Sequence, residues 1–209
     1  MTKPIEPANE FRGELEASIT EFGLHALTDE QTGRLVNHYA LLCRWNQRIN
    51  LTRIIGPGEA AKLHYAESLF GAKFIVDART VLDIGSGAGF PAVPIAVARP
   101  GLRITALEAN QKKALFLKEA KDELGLENLE VANARFEVFD WAGYDVLTSR
   151  ALDRAESIYP SVIERMKSNQ RLLLYCASDL VEKLGRACNI ETHPIPLSNE
   201  RVIAIVTSE

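Results

Sequence analysis

No run of about 18 apolar residues occurs in this 209-residue chain, which excludes a membrane-spanning helix as a reading. Met1 to Phe11 has neither a basic lead nor an apolar stretch, so an export signal is also absent and the cytoplasm is the expected compartment. The cysteines are few: Cys43, Cys176 and Cys188 are too scattered for a disulfide framework or a paired zinc site and are expected to be reduced thiols. There is no excess of positive charge. A net charge of -4 argues against a generic nucleic-acid binder, because non-specific affinity comes mainly from Lys and Arg neutralising phosphates. Acidic residues are themselves missing from Gln31 to Gly58, where Arg34, Arg44, Arg48 and Arg53 give a local charge of +4. No Gly-, Ser- or Pro-rich linker divides the chain; Ile55-Gly56-Pro57-Gly58 is the nearest approach. We expect an N-terminal helical extension, residues 1–58, packed on a core of residues 59–209.

What is present centres on Val81 to Pro91, an apolar strand running into Gly85-Ser86-Gly87-Ala88-Gly89 and then a helix start. Glycines at alternate positions let the backbone adopt positive φ and approach a ligand closely, while free N–H groups of the next helix point at it. Phe90 stands where the dinucleotide fingerprint needs its last glycine, which disfavours NAD and FAD. A P-loop needs a Gly-Lys-Ser or Gly-Lys-Thr ending, absent here, so ATP is disfavoured too. The remaining pattern, Asp83-x-Gly85-x-Gly87-x-Gly89, resembles motif I of the Rossmann-like methyltransferases that bind S-adenosylmethionine. A second signal lies some 20 residues beyond the glycines: the strand predicted at Leu102 to Leu107 ends in Glu108, placed to accept hydrogen bonds from ribose hydroxyls.

Helical spacing of Phe11, Leu15, Ile19 and Phe22 predicts a first helix from Ala8 to Phe22. Thr28-Asp29-Glu30-Gln31 has capping-box form and opens a second, to about Arg48, with Leu35, Tyr39, Leu42 and Ile49 inward. Arg34, His38, Trp45 and Arg48 share another stripe, which reads either as an RNA-facing surface or as a solvated face with one buried tryptophan. A third helix, Glu59 to Gly71, carries His64, Glu67 and Ser68 towards the cradle strand. Asn110 is positioned to cap a helix ending at Gly125, and Lys112 and Lys113 in its first turn, beside the positive helix end, hint at an anionic partner. Strands are expected at Leu129–Ala132, Asp145–Thr148 and Leu172–Tyr175, separated by helical lengths, then a hairpin of Ile190–Ile195 and Arg201–Thr207. That order predicts an α/β fold: a mainly parallel, doubly wound sheet ending in an antiparallel hairpin.

The chain resembles the RsmG (GidB) family. The resemblance runs from about Leu42 to the end. It rests on Trp45-Asn46 with Asn50-Leu51-Thr52, on His64 with Glu67-Ser68, and on the Asp83 to Pro94 block. Lys112-Lys113 leading to Phe116-Leu117, Arg135 with Glu137, and Ser149-Arg150-Ala151 complete it. It implies a Rossmann-like S-adenosylmethionine-dependent methyltransferase that modifies guanine N7 in the 530 loop of 16S rRNA, acting on that RNA or on the assembling small ribosomal subunit and releasing S-adenosyl-L-homocysteine. Cofactor contacts are expected from Asp83, Gly85, Ser86, Gly87, Gly89 and Phe90, from Glu108, and from Arg135, Phe136, Glu137 and Arg150. RNA contacts are expected from Arg44, Arg48, His64, Lys112, Lys113 and Arg201. Glu67 and Glu108 stand where the family usually has Asp, and Cys176-Ala177 replaces a Lys-Gly pair after the fifth strand.

Guanine N7 carries an in-plane lone pair and no proton, so its methylation needs alignment and electrostatics rather than a general base. Ser149 and Arg150 follow the fourth strand, where the carboxyl end adjoins the reacting group in this fold, and are the expected catalytic pair. Arg150 stays protonated, so its expected role is to hold the guanine or a phosphate, the alternative being an ion pair with Glu137 or Asp145. Two further readings stand beside this one. Cys176 sits where RNA cytosine-C5 methyltransferases keep their nucleophile, and the missing Lys-Gly pair fits a catalytically impaired, cofactor- and ribosome-binding paralogue.

Overall fold

The computed structural model describes residues 6–150, 155–184 and 188–207; Ala151 of the Ser149-Arg150-Ala151 block lies outside them. Helix α1 (Glu6–Glu21) and helix α2 (Asp29–Asn46) come first. Thr28 caps α2 as expected: its hydroxyl accepts the Gln31 N–H at 3.2 Å, and the Gln31 carboxamide accepts the Thr28 N–H at 2.9 Å. The next helical stretch is compound, with α3 (Pro57–Ala60), a π-helical segment (Ala61–Ala66) and α4 (Glu67–Ala72) end to end. π-Turns are rare and concentrate where function distorts a helix.

Among the described residues seven strands follow: β1 (Thr80–Ile84), β2 (Arg103–Leu107), β3 (Leu129–Ala132), β4 (Val146–Arg150), β5 (Arg171–Ala177), β6 (Asn189–Pro194) and β7 (Arg201–Thr207). They form one sheet in the order β3-β2-β1-β4-β5-β7-β6. Every pairing from β3 to β5 is parallel, and β7 runs antiparallel to both β5 and β6. Helices α5 (Ala92–Ala98), α6 (Gln111–Leu124), α7 (Ala155–Arg165) and α8 (Ser178–Lys183) connect them. Asn110 caps α6 through the N–H groups of Lys112 and Lys113.

Strand side chains alternate between faces, and the core divides accordingly. Val81, Leu173 and Tyr175 join one buried cluster with Phe11, Leu35, Phe116 and Leu117; Leu82, Leu172 and Leu174 join another with Trp141, Tyr159 and Val162. Both faces of the parallel part are therefore covered, as such sheets require. The N-terminal helices belong to the first cluster: Phe11 stacks flat on Tyr39 at 4.2 Å and edge-on to Tyr65 at 4.8 Å. Removing a ring so buried typically costs ~3–5 kcal/mol, so helices α1 and α2 are fastened to the core through packing. Among the described residues no helix is long and apolar enough to cross a membrane.

Candidate active site

The carboxyl ends of β1, β2 and β4 open onto a cavity of about 410 Å³. Its position at the β1/β4 boundary, where the strand order reverses direction, is where open α/β sheets bind ligands. β1 runs into the glycine turn, in which Gly85, Gly87 and Gly89 have φ of 74°, 55° and 86°. At Gly87 a Cβ would meet only the Gly85 carbonyl at 3.8 Å, so the ligand side of the turn is open. Gly89 faces the other way, where a Cβ would lie 2.8 Å from Val93 and 3.2 Å from His38 Nε2, so only glycine lets the turn settle on the helices beneath it.

Glu108 closes the β2 side. Its two oxygens accept the N–H groups of Gly87 at 2.9 Å and Asn110 at 2.7 Å, which fixes the carboxylate and leaves lone pairs on both oxygens for hydroxyl donors in the cavity. Ala134, Arg135, Phe136 and Glu137, beyond β3, continue this wall. The open face at Gly87, the fixed acceptor at Glu108 and the apolar surface at Phe136 together fit an adenosine-bearing cofactor.

The β4 wall is made of side chains. Arg150 donates from Nη2 to His64 Nδ1 at 2.7 Å and from Nη1 to the His64 carbonyl at 3.2 Å. A guanidinium cannot accept, so Nδ1 is the acceptor and Nε2 carries the imidazole hydrogen, lying 2.9 Å from Thr52 Oγ1. Burial, with Arg150, His38 and Arg201 adding to it, lowers the His64 pKa to about 3, so the ring is neutral at ordinary pH. Burial also lowers Arg150, to about 10, and it stays charged. The His64 ring stacks on Phe90 at 4.5 Å. Asn46 secures the loop bearing Thr52 by accepting the N–H groups of Leu51 and Thr52 at 2.8 and 3.0 Å and donating to the Thr52 carbonyl at 2.9 Å.

Of the residues expected at the cofactor, Gly85, Ser86, Gly87, Phe90, Glu108, Arg135, Phe136, Glu137 and Arg150 line this cavity. Asp83 and Gly89 do not; they shape the turn from below. Asp83 is fully buried and hydrogen-bonded by the Ser86 hydroxyl, and burial pushes its carboxyl up to about 7. Ser149 is set back from the cavity as well: it is fully buried, and its hydroxyl donates to the Ile84 carbonyl at 2.9 Å, which gives it a sheet-joining role. Arg150 does line the cavity, yet its donor fork is spent on His64 rather than on Glu137 or Asp145; Asp145 accepts the N–H groups of Arg79 and Thr80 instead.

The residues expected at RNA divide likewise. Arg48, Lys112 and Lys113 come together with Asn50 and Asn110 around a second depression of about 270 Å³, and Lys113 lines the main cavity too. Arg44 is paired with Glu123 at 2.8 Å, Arg34 with Glu30 at 2.8 Å, and Arg201 with the buried carboxylate of Glu67 at 2.6 Å. His64 lines the cavity itself. The surface stripe through His38 does not exist as such: His38 is fully buried, hydrogen-bonded to the Tyr65 hydroxyl at 2.8 Å and packed under the glycine turn. Its spacing from Leu35 and Leu42 already placed it on the inward stripe. Cys176 is also buried, its thiol pushed up to about 11 by burial, and it lies among Leu172, Leu174 and Val206 rather than at the cavity, which removes the geometric basis for a cysteine nucleophile. Thr52, Leu51 and Ala109 contribute to the cavity although the pattern reading gave them no role.

The sheet order, the antiparallel β7 and the glycine turn opening beside a carboxylate at the end of β2 define a Rossmann-like methyltransferase fold. Solved structures agree on the fold. A ribosomal protein L11 methylase from Lactobacillus delbrueckii subsp. bulgaricus superposes with a TM-score of 0.55 at 12% identity, covering 71% of this chain and 80% of that one. P. horikoshii TYW2 in complex with MeSAdo gives 0.56 at 16% identity, covering 69% and 62%. The particular family follows from sequence: residues 31–193 match the family described as GidB, rRNA small subunit methyltransferase G, and the chain belongs to it. A ribosomal RNA small subunit methyltransferase G from Stenotrophomonas maltophilia is 43% identical over 145 residues, which make up 69% of this chain and 66% of that protein. One from Laribacter hongkongensis is 42% identical over 147 residues, 69% and 70% of the two chains.

Proposed function

We propose that this protein transfers a methyl group from S-adenosyl-L-methionine to N7 of a guanine in 16S rRNA, on the free RNA or in the assembling small subunit. The observation that carries the reading is the one cavity shared by a cofactor cradle and a wall in which a neutral His64 is held by the charged Arg150, in a chain belonging to this family. When bound, the cofactor would supply an electrophilic methyl on sulfur, with S-adenosyl-L-homocysteine as its product. Glu108 accepts from ribose hydroxyls, the Gly85–Gly87 backbone lets the ligand approach closely, and Phe136 offers the adenine an apolar surface.

The β4 wall suits a nucleophile that has no proton to lose. His64 is held neutral with its Nδ1 lone pair taken by Arg150, and Arg150 cannot accept a proton, so neither is a general base. With the cofactor bound, guanine N7 would attack through its own lone pair, the N7–methyl bond forming as the sulfur–methyl bond breaks and that bonding pair staying on sulfur. Alignment is then the main catalytic task. Arg48, Lys112 and Lys113, beside the cavity mouth, are the cations we assign to RNA phosphates. The test is tritiated-methyl transfer to unmodified 16S rRNA and to small subunits lacking the modification, with the product mapped by chain cleavage at 7-methylguanine. Label at a guanine N7 is expected. Cofactor binding without transfer favours the impaired-paralogue reading, and label on cytosine C5 overturns the N7 assignment.

A further inference from the structure

The hydrogen bonds of the β4 wall have only one possible direction. Arg150 is a pure donor, so His64 Nδ1 accepts and Nε2–H points to Thr52 Oγ1 at 2.9 Å. The same Oγ1 accepts the Ile54 N–H at 3.1 Å. A hydroxyl oxygen has two lone pairs and one hydrogen, and both lone pairs are now occupied. Thr52 is thereby left as a donor with no acceptor among the described residues, on a residue that lines the cavity. Asn46 removes the remaining freedom by gripping the loop at Leu51 and Thr52 through three hydrogen bonds.

We infer that Thr52 is the base-selecting group of this site, donating its hydroxyl hydrogen to the 6-oxo oxygen of the target purine; this rests on the reading of the protein as a guanine-N7 methyltransferase. Sheet order separates the ends of the cavity: Glu108 and Phe136 belong to the β2 and β3 side, Arg150 with His64 and Thr52 to the β4 side. Thr52 comes from the segment after α2, near the Arg48–Lys113 cations and outside the cofactor cradle. On the purine edge that carries N7, guanine presents the O6 acceptor and adenine an N6 amino donor. A polarised donor at this place pairs with guanine and leaves two donors facing each other with adenine. A threonine free to rotate would accept as readily as it donates and could not choose. The Arg150–His64 chain is what makes it choose.

The experiment uses the full-length protein and 16S rRNA in which the mapped acceptor guanine is kept or replaced by 2,6-diaminopurine, which turns the O6 acceptor into an amino donor and keeps N7. The parent is expected to lose about tenfold or more in kcat/KM on replacement, the scale of one mispaired buried polar contact. Thr52→Val should lose about as much on guanine with S-adenosylmethionine affinity held within about twofold, and should no longer distinguish the two bases; Thr52→Ser should restore the discrimination. If Thr52→Val keeps the parent's preference, or if its whole defect is weaker cofactor binding, Thr52 is not the base-selecting donor although the methyltransferase reading stands. A parent inactive on the guanine substrate overturns both.

Discussion

Glu108 holds Gly87 across 21 residues of sequence, whereas Arg150 holds His64 across 86, and the two walls of the cavity differ in kind as well as in reach. The β2 wall is main chain fixed by one carboxylate: its shape follows from glycine φ angles and a strand end. The β4 wall is side chain on side chain, assembled from the loop after α2, the π-helical segment and the end of β4. In the proposed reading adenosine is common to every substrate cycle, and the wall assigned to it is local and stiff. The wall assigned to the base is where a directed set of donors is built. Breaking each wall separately should therefore give different kinetic signatures.

The largest effect is expected on the β4 wall. Arg150→Ala strips the donors from the buried Nδ1 and carbonyl of His64 and frees the imidazole to change tautomer, so kcat for rRNA methylation should fall about a hundredfold while cofactor affinity changes little. Arg150→Lys, a point donor without the fork, should recover little of it. Single-turnover transfer alongside calorimetry separates the two quantities; a normal rate in the alanine variant removes the wall from catalysis. Next is the β2 wall, where Glu108→Ala should weaken S-adenosylmethionine by about 1–3 kcal/mol, because it removes a charged acceptor and releases the Gly87 N–H. Its kcat at saturating cofactor should stay near the parent's, the reverse of the Arg150 pattern.

The buried ionisable groups around the site also oppose each other in pH. His38 and His64 have pKa values lowered to about 3, so between there and 6.5 they bind protons in the unfolded chain and not in the folded one, and their contribution to stability rises with pH. Asp83, raised to about 7 from 3.8, binds a proton in the folded chain and not in the unfolded one, and its contribution falls with rising pH over that window. Asp83→Asn should steepen the rise in stability between about pH 4 and 6.5, by up to ~1.4 kcal/mol per pH unit for the one proton removed. Urea midpoints across that range measure it, and an unchanged slope means that Asp83 is already ionised in the folded protein. The smallest effect concerns the cations at the mouth. Arg48→Ala with Lys112→Ala should reduce the log–log salt slope of rRNA binding by about 2 and leave cofactor affinity alone, while Arg44→Ala, whose charge Glu123 already matches, should change it less.

The same difference in reach governs what the sequence discloses. The capping box at Thr28, the Asn110 cap, the glycine turn and Glu108 at the end of β2 were all legible, because each depends on neighbours close in the chain or on the regular return of a βα unit. The class of the sheet and its antiparallel end were legible from element order. Ser149 and Arg150 were put just past the fourth strand, whereas pairing with β1 and β5 makes them the last two residues of β4; which way each side chain faces was not legible either, since that depends on pairing partners: Ser149 turns to Ile84 and Arg150 to His64. Arg201 reads as a free cation until Glu67, 134 residues earlier, is seen to neutralise it. His38 is a different failure: its spacing from Arg34, Trp45 and Arg48 was followed, while its equally available inward spacing from Leu35 and Leu42 was not. Tyr65 and the glycine turn are what make its burial tolerable.

Substitution and length change are not equivalent along the helix that carries His64. At the head of the Ala61–Ala66 segment, Ala60 and Ala61 pack into the core cluster that also holds Tyr65; behind it, Glu67 meets Arg201, Ser68 gives its carbonyl to the Tyr175 hydroxyl at 3.0 Å, and a Cβ on Gly71 would collide with that same tyrosine. The wide turn supplies the one residue that keeps both halves in phase. Deleting a residue there would restore a regular helix and rotate one half against the other by roughly 100°. Either His64 leaves Arg150 or Gly71 leaves Tyr175, so in this stretch of chain the spacing matters more to the site than most of the letters.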